Sequence, residues 1–367
     1  MRIIIAAGGT GGHIFPGIAV AREWVRRDPA TEVMFVGTER GLESRLVPQA
    51  GFPLTLIQAG ALKNVSIVKR LISLMKLPFG FWAVNRLFRQ FRPDIVIGVG
   101  GYASGAAVMM AALKGIPTLV VEPNALPGFT NRMLARFTRA AAVTFGESIR
   151  FFPGKSVLTG NPVRAEFENL SPKPRTTKLH LLIFGGSQGA HAINQAMIDA
   201  APLLTSVRNR LIITHQTGKV DGAEAQAAYK AASLEAEVCP FIDDMAGAFA
   251  QADLLICRAG ATTVAEIAAA GKAALFIPFP LAADDHQRKN AEAFVNADAG
   301  RMILQSELNG ERLAKEILSL IDKPERITAM EAASRNLARP NAAGQVVDLA
   351  LRVASNSSFS ELIALNP

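Results

Sequence analysis

The chain is 367 residues long, 50% hydrophobic and 19% charged, with a formal net charge of +8. That much apolar material excludes a disordered chain and is enough for the cores of two domains, while two cysteines, Cys239 and Cys257, supply neither a disulfide framework nor a metal-ligand cluster. The charge is uneven, with 19 Lys/Arg against 8 Asp/Glu in residues 1–163 and 20 against 23 beyond, so an anionic partner is expected for the first half.

A first strand begins within three residues of the N-terminus, so no signal peptide is expected and a reducing cytoplasm is the default. The β-rich run Arg2 to Ala7 enters Gly8-Gly9-Thr10-Gly11-Gly12-His13, and helical spacing follows from Ile14 to Val25. Strand, glycine loop and helix in that order bring a ligand against exposed backbone. The dinucleotide pattern G-x-G-x-x-G fails here, because counted from Gly9 its last position is Ile14, and a dehydrogenase is disfavoured. His13 beside the loop is a candidate base; a histidine that merely caps the helix is the alternative.

Val33 to Val36 reads as a second strand, ending at Gly37-Thr38-Glu39, and Leu54 to Gln58 as a third. From Ser44 to Pro93 there is no Asp or Glu, yet Arg45, Lys63, Lys69, Arg70, Lys76, Arg86, Arg89 and Arg92 alternate with Ile67, Leu71, Leu74, Met75, Phe79, Phe81 and Trp82. The longest apolar stretch, Leu71 to Val84, is broken by Lys76, Pro78 and Gly80 and falls short of the roughly 18 residues that span a bilayer. Cations mixed with aromatic and aliphatic side chains suit attachment to an anionic membrane surface through residues 63–92. Core packing of the leucines and nucleic acid as the anion are the alternatives, and nucleic acid is not the expected partner.

Ile95 to Val99 is a buried strand running into Gly100-Gly101-Tyr102 and a small-residue helix, Ser104 to Ala112. Thr118 to Val121 leads to Glu122-Pro123-Asn124-Ala125, and Ala140 to Thr144 is a further strand. Such alternation implies a parallel sheet with its ligand loops at the carboxyl edge. The pattern then loosens from Phe151 to Arg164, and Ser171 to Lys178 is polar, so a domain boundary is expected near 160–178.

The second half restarts the design. Leu179 to Phe184 is a strand, Gly185 to Ala190 another glycine loop, and Ile193 to Leu204 a helix. Leu211 to Thr214 ends at His215-Gln216-Thr217-Gly218, a helix is expected near 221–235, and Val238 to Ile242 precedes a helix opened by Asp243-Asp244-Met245. Leu254 to Ile256 then stops at Arg258-Ala259-Gly260, and Thr262 and Thr263 open an alanine-rich helix before Gly271 and a strand from Ala274 to Phe279. Free N–H groups at that helix start favour a diphosphate, and Glu266, one turn in, can accept hydrogen bonds from sugar hydroxyls. The alternative is an ordinary βαβ unit with Glu266 solvated. Asp243-Asp244 and Asp284-Asp285 could suggest a metal, but both fit helix-start or loop positions where carboxylates complement the helix dipole, which is the preferred reading. The tail carries helical stretches at Ala343 to Ala354 and Phe359 to Leu365.

Together these motifs resemble the MurG family of UDP-N-acetylglucosamine transferases. Gly8 to His13 followed by Pro16, Gly100 to Ser104, and Gly185 to Ala190 are similar to its three glycine loops, and Arg258 to Asn290 to its donor-site signature, in family order. The chain departs at Pro123, where the family commonly has Gln, and at Gly105-Ala106, where it commonly has Pro. The resemblance implies an α/β protein of the GT-B fold, two Rossmann-like doubly wound domains facing each other across a cleft, with no metal and no cofactor. Residues 1–163 would form the acceptor and membrane-binding domain and 164–340 the UDP-N-acetylglucosamine-binding domain, the C-terminal helix (about 341–367) being able to pack back on the first.

The implied reaction is inverting transfer of N-acetylglucosamine from its UDP donor to the C4 hydroxyl of the muramyl unit of undecaprenyl-linked lipid I, at the cytoplasmic face of the bacterial inner membrane. Donor contacts implied by the resemblance fall on Thr10, Gly11, Gly12, Asn124, Arg164 and Ser187, then Ile242, Ala261, Thr262, Thr263, Val264, Ala265, Glu266 and Gln287. The chemistry is compatible, since Arg164 and Ser187 can bind phosphate oxygens and Glu266 ribose hydroxyls. A UDP-sugar epimerase or another GT-B transferase shares this plan, and a sensor that binds the nucleotide sugar without turnover is a reading of a different class.

Overall fold

The computed structural model describes residues 1–39, 41–58, 67–171, 176–186 and 188–355, with side chains throughout except at 67–77 and 283. Lys63, Ser187 and the expected helix Phe359 to Leu365 lie outside the described residues, as do the side chains of Ile67, Lys69, Arg70, Leu71, Leu74, Met75 and Lys76. The chain divides into two compact units, one formed by Met1–Arg164 with the segment from Arg339 on, the other by Ala165–Ala338.

The first unit holds a seven-stranded sheet: β1 (Arg2–Ala7), β2 (Glu32–Gly37), β3 (Leu54–Leu56), β4 (Ile95–Gly100), β5 (Thr118–Glu122), β6 (Ala140–Val143) and β7 (Ser156–Leu158). All pairings are parallel, in the order β3-β2-β1-β4-β5-β6-β7. The order reverses between β1 and β4, and in such sheets the crevice outside that switch point is where ligands sit. Helices α1 (Gly11–Arg27), α2 (Glu43–Gln49), α3 (Ile67–Phe91), α4 (Tyr102–Leu113) and α5 (Phe129–Leu134) follow strands of this sheet.

A sheet covered on both faces calls for continuous apolar strands rather than alternating ones. Ile3 and Ile5 of β1 accordingly enter one core with Ile14, Ile18 and Trp24, and Ile4 and Ala6 enter the other with Val84, Phe88 and Val108. The last described helix closes the first of these cores through Val346, Val347, Leu349 and Val353. Helix α1 starts at Gly11, three residues before the expected Ile14, so Gly11, Gly12 and His13 form its first turn. The stretch expected to be irregular contains β7, whose three residues pair with β6 and are too few to show a period.

The second unit holds β8 (Leu179–Phe184), β9 (Leu211–Gln216), β10 (Glu235–Cys239), β11 (Leu254–Cys257), β12 (Ala273–Phe276) and β13 (Gly300–Met302), all parallel, in the order β10-β9-β8-β11-β12-β13. Its helices are α6 (Ala165–Glu168), α7 (His191–Ala200), α8 (Gly222–Ala231), α9 (Met245–Gln251), α10 (Ala261–Ala270), α11 (His286–Asn296), α12 (Gly310–Ile321) and α13 (Pro324–Leu337); α14 (Ala342–Ala354) is the helix that returns to the first unit. Strand β9 runs two residues beyond Thr214 because His215 and Gln216 are buried with hydrogen-bonded side chains, so their polarity does not end the strand. Gly271 closes α10 in the left-handed conformation (φ 59°), which a glycine adopts without a Cβ penalty.

Candidate functional site

In the first unit the loops after β1 and β4 meet at the switch point, backbone against backbone. Gly101 has φ 82°, and a Cβ there would lie 2.4 Å from the Gly8 carbonyl oxygen, so only glycine permits the approach. Gly8 N donates to Gly100 O at 3.2 Å. Gly9 and Thr10 are exposed, and Gly11, Gly12 and His13 are half-buried in the first turn of α1, where His13 N donates to Thr10 O at 3.1 Å. The His13 ring packs over Gly100, and its Nδ1 lies 3.1 Å from Gly8 O. A carbonyl only accepts, so Nδ1 carries the proton and Nε2 is the basic nitrogen of the neutral ring.

Asn124 is buried in the turn after β5, where its backbone N–H and Nδ2 both donate to Glu122 Oε1, at 2.9 and 3.2 Å. Gly128 N and Asn131 Nδ2 donate to the other oxygen, at 3.1 and 2.9 Å. Burial pushes Glu122 up to about 7, against the four donors, which favour its ionised form. Arg164 belongs to this unit, with its guanidinium 5.6 Å from the ring centre of Phe15 on α1.

In the second unit the β11–α10 turn carries the predicted run. Ala261 and Val264 are buried, and Thr262, Thr263 and Ala265 are half-buried. Glu266 is 6% exposed, so it is not a solvated helix residue. Ile242 is half-buried in the turn between β10 and α9, next to an exposed Phe241. Gln287, in the first turn of α11, accepts from Phe279 N at 3.0 Å, which leaves its amide N–H groups as its donors.

Several residues that build these loops stand in the sequence only as turn or strand-end positions, with no role that the pattern assigns. Arg258 Nη1 donates to Ile277 O and Pro278 O and Nη2 to Gln305 Oε1, and its guanidinium lies over the Phe279 ring, tying the β11 turn to the loop before Gln287. Beneath the glycine loop after β8, Gly189 would place a Cβ 2.0 Å from Thr217 O. Thr217 O in turn accepts from Asn194 Nδ2 at 2.8 Å, and the other amide hydrogen goes to Asp221 at 2.7 Å. His215 is wholly buried between Tyr229 OH (2.7 Å) and Asn194 Oδ1 (3.0 Å), and burial pushes it down to about 4. Among the described residues no group of three or more His, Cys, Asp or Glu side chains could hold a metal. Asp244 caps α9 by accepting from Gly247 N at 2.8 Å, and Asp284 and Asp285 are consecutive left-handed residues (φ 53° and 56°) leading into α11.

Residues 3–143 match the glycosyltransferase family 28 N-terminal domain and residues 180–346 the family 28 C-terminal domain. The chain is 50% identical over 354 residues to the UDP-N-acetylglucosamine–N-acetylmuramyl-(pentapeptide) pyrophosphoryl-undecaprenol N-acetylglucosamine transferase of Geotalea uraniireducens, covering 95% of this chain and 97% of that one. It is 49% identical to the transferase of the same name from Geotalea daltonii, covering 95% and 96%. Among solved structures, MurG of Acinetobacter baumannii superposes with a TM-score of 0.80 at 35% identity, covering 96% of this chain and 99% of that one. A UDP-N-acetylglucosamine 2-epimerase from Neisseria meningitidis superposes with a TM-score of 0.67 at 14% identity, a likeness of fold alone.

Proposed function

The chain belongs to glycosyltransferase family 28, within it to the MurG transferases, and from that premise we infer the reaction it performs. It moves N-acetylglucosamine from UDP-N-acetylglucosamine to the C4 hydroxyl of the N-acetylmuramyl unit of undecaprenyl-linked lipid I, forming lipid II for peptidoglycan. Its two Rossmann-like units are the domain pair of the GT-B fold. The carrying observation is 50% identity over 95% of the chain to a transferase named for this reaction.

The acceptor C4 oxygen attacks the anomeric carbon as the bond from that carbon to the β-phosphate oxygen breaks, so the configuration inverts and UDP departs with the bonding pair. His13 Nε2 takes the hydroxyl proton. Arg164 and the N–H groups at the start of α10 stabilise the charge that develops on the leaving diphosphate. Thr10, Gly11, Gly12, Asn124, Ser187, Ile242, the run Ala261 to Glu266 and Gln287 hold the donor, with Glu266 on the ribose. The test is a radiolabel-transfer assay with lipid I, run with and without EDTA. Product formed equally in both arms is expected; binding of UDP-N-acetylglucosamine without transfer would make the protein a sensor, and loss on chelation restored by magnesium would return the acidic pairs as metal ligands.

The protein meets its lipid-linked acceptor at an anionic membrane surface through residues 63–92. No helix among the described residues is long and apolar enough to cross a membrane. Phe79 and Trp82 of α3 are 66% and 64% exposed, with the Arg86 guanidinium 5.9 Å from the Trp82 ring centre, while Val84, Leu87 and Phe88 of the same helix are core. Aromatic side chains enter the headgroup boundary, and each well-placed cation beside them adds about 1 kcal/mol of attraction to anionic lipid. Replacing Lys69 and Lys76 by Glu and Trp82 by Ser is expected to release the protein from anionic vesicles in flotation with UDP binding intact. A triple variant that floats like the parent would remove this patch.

A further inference from the structure

Helix α2 opens with Glu43, which is wholly buried. An acidic residue at a helix start ordinarily faces solvent and complements the dipole. Here the carboxylate is turned inward and accepts three hydrogen bonds: Thr38 N (2.7 Å) and Thr38 Oγ1 (2.8 Å) on Oε1, and Gly9 N (3.0 Å) on Oε2. Three glycines make room for it. A Cβ at Gly8, Gly37 or Gly41 would come within 3.1, 2.4 or 1.8 Å of Glu43 atoms. Glycines from the loop after β1, the end of β2 and the β2–α2 turn therefore shape one cavity around a single carboxylate, which carries a desolvation cost that a solvated acid at a helix start would avoid.

The Gly9 N–H that Glu43 accepts and the Gly8 carbonyl that accepts from His13 Nδ1 belong to the same peptide unit. The chain of contacts is Glu43 Oε2, Gly9 N–H, Gly8 C=O, His13 Nδ1–H, with heavy-atom distances of 3.0 and 3.1 Å at its two ends. A peptide whose N–H is bound by an anion has a more negative carbonyl oxygen, because hydrogen bonds in series polarise one another. We propose that Glu43 is a positioning residue for His13, acting through the Gly8–Gly9 peptide as the orienting acid of a base that it never touches. The carboxylate holds the peptide plane, the plane holds the Nδ1–H tautomer, and the polarised carbonyl raises the basicity of Nε2, the role a directly bound carboxylate plays in a triad.

The other charged groups around α1 are placed differently. Strands β1 and β4, packed beneath it, carry only Arg2, at the far end of β1. Helix α14 brings Asp348 and Arg352, and Asp348 pairs with Arg27 at the opposite end of α1, where Glu23, Arg26 and Arg27 also pair. Helix α2 brings Arg45 in addition to Glu43, and Arg164, stacked on Phe15, is the cation two residues along α1 from His13. Removing the carboxylate leaves the imidazolium with less anionic stabilisation, so the basicity of Nε2 falls.

This inference rests on His13 being the base, and its test separates the two ideas. Glu43→Gln keeps the shape but offers one acceptor oxygen to three donors; with that oxygen serving the two Thr38 donors, an N–H faces Gly9 N–H and the relay is cut. Turnover of Glu43→Gln is expected to fall about 10–100-fold, as for loss of an outer partner of a functional histidine, with the acid limb of the kcat–pH profile about one unit lower and the KM for UDP-N-acetylglucosamine unchanged. In a His13→Ala background the same substitution is expected to cost nothing further, since groups acting as one unit are not additive. Thr38→Val, which leaves the Gly9 contact in place, is expected to keep the parent's acid limb. Parental turnover in His13→Ala would sink the base assignment itself. An inactive His13→Ala beside a Glu43→Gln with the parent's turnover and acid limb, or with an equal loss in both backgrounds, would sink the relay alone. If Glu43→Gln does not fold, nitrogen-labelled parent protein decides: the Gly9 amide proton should shift with the same midpoint as the His13 ring, and an amide indifferent to that titration overturns the relay.

Discussion

The first unit buries an acid, Glu122, beneath the turn that carries Asn124, whereas the second buries a base, His215, beneath the loop that supports its glycine turn. Burial disfavours the charged form in both places, so the acid is pushed up to about 7 and the imidazole down to about 4. Two sheets of nearly the same order thus hold their carboxyl-edge loops with groups that one force, desolvation, drives in opposite directions. A shared fold leaves the chemistry of each crevice open.

The comparison is sharpened most by removing the base assigned to the first unit. His13→Ala is expected to lower turnover about 10²–10⁴-fold with little change in donor affinity, measured by lipid I transfer alongside UDP titration; near-normal turnover would leave the first crevice without its proton acceptor. Next come the two backbone contacts. Gly101→Ala and Gly189→Ala each place a Cβ at 2.4 or 2.0 Å from a carbonyl oxygen at positive φ, and each is expected to cost roughly 2–4 kcal/mol, read from urea midpoints. Parental midpoints would mean that the loops part without loss. Glu266→Ala is then expected to raise the KM for UDP-N-acetylglucosamine about 10–100-fold, the equivalent of about 1.5–3 kcal/mol for a charged hydrogen-bond partner, with kcat changed less. An unchanged KM would take Glu266 out of the donor site.

The smallest expected effect tests the opposed titrations directly. Glu122, raised above the ordinary 4.5, contributes stability that is present below pH 4.5 and lost as pH rises through about 7. His215, lowered from the ordinary 6.5, contributes stability that is present above pH 6.5 and lost as pH falls through about 4. Each contribution is on the order of 1–3 kcal/mol. Both tryptophans, Trp24 and Trp82, lie in the first unit, so their fluorescence follows that unit while circular dichroism follows the whole chain. Glu122→Gln is expected to flatten the fluorescence midpoint between pH 4.5 and 7, and His215→Gln the remaining slope between pH 4 and 6.5. Slopes of the same sign in the two variants would contradict the opposed titrations.

Much of this architecture was written in local pattern. Aliphatic runs such as Arg2 to Ala7 and Leu179 to Phe184, each ending in glycines before a helical period, specify strand, turn and helix within a dozen residues, and their repetition specifies two parallel-sheet units. Strand β7 is not legible in the sequence, because three residues show no period, and neither is the end of β9, because His215 and Gln216 look like loop residues until their partners are known. Ser187 and the basic side chains of early α3 lie outside the described residues. What the amino-acid order alone determined is where the backbone must turn and where glycine must stand, since those demands act between neighbours. Which side chain then fills the space depends on residues brought together from afar: Glu43 reaches the peptide 34 positions before it, and His215 meets Asn194 21 positions earlier. A helix-start glutamate and a strand-end histidine carry no local mark of burial, so only tertiary packing, by removing water from one carboxylate and one imidazole, decided what they do.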